Sequence, residues 1–160
     1  MKNFLVTLII ILIPVKSFGL IELDITRGNL NPLPIAVSPL SIDEKSRKNF
    51  KNILQKKNIG SEISSIVENN LKVSGLFNPL NKDAFLQEPD IANLKPRFED
   101  WNSIKAQALI TGKVSYVEEK LRVEFRLWDV LAGKEMMALA FTTVPNNWRR
   151  VGHIITDKVY

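Results

Sequence analysis

Along the chain the spacing of apolar residues changes period several times, and each change predicts an element. Residues 20–26 alternate strictly: Ile21, Leu23 and Ile25 face one way, Glu22, Asp24 and Thr26 the other. That is the period of a strand. RGNLNPLP follows, and its Gly, Asn and Pro residues predict a loop or extended linker. A short apolar strand over 35–40 is bounded by Pro34 and Pro39. The period then becomes helical over 43–58, where Phe50, Ile53 and Leu54 form a stripe opposite a set of lysines. A second helix is predicted over about 62–74, with Ser61 as N-cap and Gly75 as C-cap. Its core stripe is Ile63, Ile66, Val67 and Leu71, and Leu76 is placed to close the helix end by an apolar contact.

Beyond that helix, 77–80 reads as a short strand and 81–96 as a polar connection. Phe98, Trp101 and Ile104 mark a short helix. Three strand-like runs come next. Residues 108–117 are mostly apolar, as a central strand requires. In the second run Leu121, Val123, Phe125 and Leu127 alternate with Arg122, Glu124, Arg126 and Trp128, giving one buried and one wetter face. The third covers 134–144. Short turns at 118–120 and 130–133 make these an antiparallel meander. A final helix starts near Trp148, with Val151, Ile155 and Val159 on one face. The order predicts an α/β domain over 34–160, a mixed sheet of about five strands with helices packed on it. The helical pattern is still running at Tyr160 without a C-cap, which suggests a piece of a longer protein.

Composition alters this picture at the N-terminus. Residues 1–19 combine Lys2, an apolar run over 4–15 and the small residues Ser17 and Gly19 at the −3 and −1 positions, the parts of a cleavable secretory signal. The run falls short of the roughly 20 residues of a membrane span. A soluble, exported product beginning at Leu20 is expected, with 20–33 as an extended segment and linker. The formal charge of +5 drops to +3 once Lys2 and Lys16 leave. The excess is local: 43–58 holds six basic and two acidic side chains. A solvated helix face explains such a run, with binding to an anionic membrane face or an acidic partner as the alternative.

Chemistry is hard to place on these residues. There is no cysteine, so thiol catalysis, disulfides and cysteine-ligated metals are out. A single histidine, His153, rules out a multi-histidine metal site and argues against a Ser-His-Asp site. Glu99–Asp100 and Glu118–Glu119 are adjacent pairs, whose side chains diverge on a helix or strand and cannot flank one scissile bond. Gly112, Gly133 and Gly152 are isolated and make no phosphate loop. Trp101, Trp128 and Trp148 sit on amphipathic elements and read as packing. No catalytic, cofactor-binding or metal-binding residue is assigned.

Longer blocks carry more. PRFEDWNSIKAQALITGKV at 96–114, EFRLWDVLAGKE at 124–135, NWRRVGHIITDKVY at 147–160, SGLFNPLNKDAF at 74–85 and the opening LIELDITRGNLNPLPIAV resemble the N-terminal domain of the TolB family, in its alphaproteobacterial form. The resemblance spans nearly all the chain beyond residue 19. It implies an anticodon-binding-domain-like fold and a periplasmic, non-enzymatic adaptor of the Tol–Pal envelope system, monomeric and not inserted in a membrane. Such an adaptor links inner-membrane TolA to outer-membrane Pal, sustaining outer-membrane integrity and constriction at division. It also implies that Leu20, Ile21, Glu22, Leu23, Asp24, Ile25 and Thr26 engage the C-terminal domain of TolA, and that a β-propeller absent from this chain engages Pal. The Lys-rich stretch 43–58 departs from the family, which has a short connection there. A basic nucleic-acid-binding domain is the alternative, opposed by the export signal and the localised charge. An envelope hydrolase is a weaker one, lacking an acid–base constellation.

Overall fold

The computed structural model describes residues 31–55 and 58–160. The signal-like run, residues 20–26, Lys56 and Lys57 lie outside the described residues. In chain order, β1 (Leu33–Val37) and β2 (Ser41–Ile42) lead into helices α1 (Glu44–Leu54) and α2 (Ile59–Val73), then β3 (Phe77–Pro79). Two six-residue helices follow, α3 (Pro89–Leu94) and α4 (Phe98–Ser103). The meander is β4 (Ala108–Val117), β5 (Lys120–Asp129) and β6 (Lys134–Thr143), and α5 (Trp148–Val159) closes the domain. The sheet is mixed, as expected, in the order β3-β1-β4-β5-β6, with β2 as a sixth, two-residue strand beside β4. β1, β2 and β3 pair in parallel, whereas β4, β5 and β6 are antiparallel.

Burial is graded across this sheet. Ile35, Val37, Ile110 and Val114 face a core built with α1, α2 and α5, while Ala36 and Leu109 face a second cluster with Ala92, Trp101 and Ala106. β1 and β4 are thus covered on both sides, which is why their sequences are nearly all apolar. β5 buries Leu121, Val123, Phe125 and Leu127 only on the helix side. β6 is largely exposed.

Several boundaries differ from the sequence reading. β1 begins at Leu33, one residue before Pro34, because the carbonyl of Pro34 accepts from Gln107 N (3.0 Å) just ahead of β4, where the N–H it lacks has no ladder partner to meet. α2 starts at Ile59, capped by Asn58 and not by Ser61, whose own N–H donates to Asn58 Oδ1 (3.3 Å). The earlier start brings Ile59 into the core. Its other end closes at Ser74 with Gly75 next in the left-handed conformation (φ 74°), as expected of the glycine, but Leu76 is half exposed instead of closing the helix. On α1, Phe50 is buried edge-on against Tyr116 (centroids 5.5 Å), but Ile53 points to solvent. The polar connection 81–96 contains α3, started by Pro89 at the first helical turn.

α5 crosses α2 at close range. A Cβ on Gly152 would lie 2.8 Å from Ile66 Cγ2, and Asn70 reaches from α2 to Thr156 Oγ1 (3.3 Å) while its carbonyl accepts from Tyr160 OH (3.0 Å). Gly152→Ala would gain about 1 kcal/mol of helix propensity but overpack this crossing at about 1–3 kcal/mol. Net destabilisation is expected in denaturant melts; a stabilised variant would show that the seam yields freely.

The β4–β5 turn consists of Glu118 (φ 48°) and Glu119 (φ 60°), both left-handed. Two such residues match the twist of the strands but suit Asn-Gly far better than two glutamates. Replacing them by Asn-Gly is expected to raise stability by about 1 kcal/mol, read as a higher denaturation midpoint at unchanged slope.

Asp43 caps α1, accepting from Ser46 N (2.9 Å) and Ser46 Oγ (2.9 Å), and Ser46 Oγ in turn accepts from Tyr116 N (2.8 Å). The Ser46 backbone bond holds the Asp43 carboxyl below its ordinary pKa, partial burial opposing it. A depressed carboxyl stabilises the fold above its unfolded pKa, near 3.9, and loses that contribution as pH falls through the lower folded value. Asp43→Ala should therefore cost about 1 kcal/mol at neutral pH, with the gap to the parent closing in acid below about pH 4.

Candidate interaction surface

Several carboxylates are engaged one at a time: Asp43 caps α1 and Glu68 pairs with Lys82. Asp100 pairs with Arg97 (2.7 Å), Glu124 with Arg122 (2.8 Å) and Glu135 with Arg126 (3.2 Å). Glu99 is exposed, and Glu118 and Glu119 form the hairpin turn. Among the described residues no three of His, Asp and Glu converge as metal ligands would. His153 is exposed, with Nδ1 2.9 Å from Asn70 Nδ2 on the α2–α5 seam. Trp101 and Trp148 are buried, and Trp128 is half-buried with its indole donating to Thr111 Oγ1 (2.9 Å). Gln87 is a buried polar residue that the sequence did not reveal. Its Oε1 accepts from Trp101 Nε1 (2.6 Å) and Arg97 N (2.9 Å), tying α4 to the loop before α3. These groups hold the fold together.

Surfaces for association remain. Lys45, Lys48 and Lys51 are exposed on α1, and Arg47 leans back on Glu44 (3.6 Å) and the Ile42 carbonyl (3.4 Å). That is the solvated face the sequence suggested. The two sheet edges differ more. β3 ends the sheet with three residues, one of them Pro79, and so offers little ladder. β6 ends it with ten, of which 136–143 carry no charge. The sequence identified this strand but not its place at the edge, which only the strand order reveals.

Residues 20–26 lie outside the described residues, and the structure gives them no geometry. The described chain enters the body at Leu33, whose N–H donates to the Leu76 carbonyl (2.9 Å). Among the described residues no helix is long and apolar enough to cross a membrane.

Known proteins place this arrangement. The chain is 80% identical over 153 residues to the Tol-Pal system protein TolB of Pelagibacter ubique (strain HTCC1062), a match covering 96% of this chain and 34% of that protein. It thus spans about a third of the length of that relative. The fold is similar to TolB from Acinetobacter baumannii, at a TM-score of 0.62 and 20% identity over 81% of this chain and 27% of that one. It is also similar to lipoprotein GNA1162 from Neisseria meningitidis, at a TM-score of 0.51 and 17% identity over 80% of this chain and 94% of that one. At such identities the likeness concerns the fold alone. Residues 21–136 match the family described as the TolB amino-terminal domain, and the chain belongs to that family.

Proposed function

We infer that this chain is the partner-binding domain of a periplasmic Tol–Pal adaptor, exported by a cleavable signal over 1–19. The observation that carries the reading is its 80% identity to a protein named for the Tol–Pal system. In the longer protein, a propeller would engage Pal while this domain engages TolA.

The TolA contact is assigned to residues 20–26. A strand without a partner of its own presents free N–H and C=O groups, which pair with the sheet edge of another protein. Ile21, Leu23 and Ile25 would fill pockets on one face, and Glu22 and Asp24 would meet basic residues at the rim. Ordering such a segment costs free energy on binding, which keeps the contact reversible. An envelope link under changing load needs that reversibility.

Deleting residues 20–26 is expected to abolish binding to the TolA C-terminal domain by calorimetry while leaving the thermal melt in place. Leu23→Pro should do nearly the same by removing a ladder donor. Unchanged affinity in the deletion variant would overturn the assignment, and a variant that unfolds would place the segment in the domain's own sheet.

A further inference from the structure

The ladder of the meander determines which backbone groups β6 turns outward. A two-residue turn makes Val117 and Lys120 a hydrogen-bonded pair, and bonded pairs alternate along an antiparallel ladder. β5 therefore spends the backbone groups of Arg122, Glu124 and Arg126 on β4, and those of Leu121, Val123 and Phe125 on β6. Their partners in β6 are Thr143, Phe141 and Leu139. The residues between them, Ala138, Ala140 and Thr142, turn their N–H and C=O groups to the outer edge. Among the described residues no strand pairs with that edge.

Beyond the bulge at Met136 the edge lacks the other usual guards. Native edges are blunted by charges, prolines or short length, yet 136–143 holds neither charge nor proline, and Met136 and Leu139 are 64% and 37% exposed. Beside it, on the helix side, runs a groove of about 330 Å³ lined by Phe141, Thr143, Val151 and Ile154 of the sheet and α5. Arg150 stands in this groove, and no salt bridge engages it among the described residues. Arg149 stacks on the Trp148 ring at 4.3 Å in the same helical turn. That first turn contains no acidic residue, and the Asn147 side chain makes no cap bond. Helix N-termini favour negative charge, so two arginines there leave a positive site beside an open ladder.

We propose that the outer edge of β6, with the β6–α5 groove, receives an extended strand of a partner protein that alternates apolar and acidic residues. Its backbone pairs with Ala138, Ala140 and Thr142. Its apolar side chains lie against Phe141 and Ile154, and a carboxylate meets Arg150. A second copy of this chain fits less well. Antiparallel pairing of two β6 strands about Ala140 would set Lys134 of each copy opposite residue 146 of the other, beside Arg149 and Arg150, where like charges repel.

The test is a selection of displayed random twelve-residue peptides on the purified protein, followed by affinity measurements on variants. Enriched peptides should alternate apolar and acidic residues and shift the amide resonances of 138–142. Ala140→Pro removes an outward N–H without touching the β5 ladder and should weaken them at least tenfold. Arg150→Glu, an exposed substitution, should favour lysine over glutamate in the peptide. The proposal fails if selected peptides bind both variants as tightly as the parent, or if they show no acidic preference. It also fails if the protein sediments as a dimer that Ala140→Pro dissociates, since a second copy would then occupy the edge.

Discussion

The register of β4 on β5 governs the rest of the molecule, because it decides which side of the sheet is apolar. With Val117 opposite Lys120, the side chains of Leu121, Val123, Phe125 and Leu127 all meet the helices. A slip of one residue would send them to water and bring Arg122, Glu124 and Arg126 inward. Each apolar side chain is worth about 1.5–3 kcal/mol when buried, and each charge taken inward costs several kcal/mol more. Against that, the left-handed backbone of Glu118 and Glu119 costs about 1–2 kcal/mol per residue. The faces outweigh the turn. The strand pattern sets the register, and the turn accepts strain to follow it.

That register makes the domain unequal from one side to the other. The β1–β4 half lies between two layers of helices, with Ser64 of α2 bridging to the β1–β2 connection through Leu40 N and the Ser38 carbonyl (3.0 Å each). The β5–β6 half is covered mainly on the α5 side, with Phe98 of α4 reaching only Trp128 on the other face (centroids 5.8 Å), and α5 reaches it because Gly152 lets the helix close on α2. Stability concentrates where apolar burial does, so the sheet is firmest at β1 and β4 and least protected at β6. Among the described residues the outer edge of β6 is left unpaired, on the least buried side of the sheet.

The same asymmetry explains what the sequence disclosed. Elements with strong periodicity over ten or more residues, namely β4, β5, β6 and α5, were legible nearly to the residue. Among the short elements β3 and the Phe98–Ser103 helix were legible, but β2 and α3 were not. β2 is two residues held by its neighbour β4, and α3 is a single six-residue helix whose place depends on packing near Gln87 and Trp101. The start of α2 was misplaced because Ser61 is itself an N-cap residue type, whereas Asn58 provides the cap and Gly60 lies inside the first turn. In the structure it is where the helix approaches the Leu40 backbone too closely for a Cβ. Ile53 and Leu76 were assigned to apolar contacts on local spacing alone, but Ile53 lies off the face on which Phe50 and Leu54 meet the core, and Leu76 lies half exposed beyond the end of α2. The association surface was half legible. Alternation marked β6 as a strand, but whether a strand lies at an edge is a property of the strand order.

Charge placement completes the argument about that edge. An uncharged ladder of this length would ordinarily invite indiscriminate pairing, so its selectivity has to come from the flanks. Lys134 stands at one end and Arg149 and Arg150 stand at the other, while Glu135 is held by Arg126 on the opposite face of the sheet. An incoming strand with basic residues at its rim meets like charge, and a neutral one meets no attraction beyond the ladder itself. A strand bearing carboxylates gains at both ends. Backbone pairing then supplies affinity that any extended chain could share, and the cationic flanks decide which chain obtains it. The bulge opposite Leu127 and Trp128 adds a geometric filter. It twists β6 near Met136 and shortens the flat stretch of ladder to the few residues around Ala140.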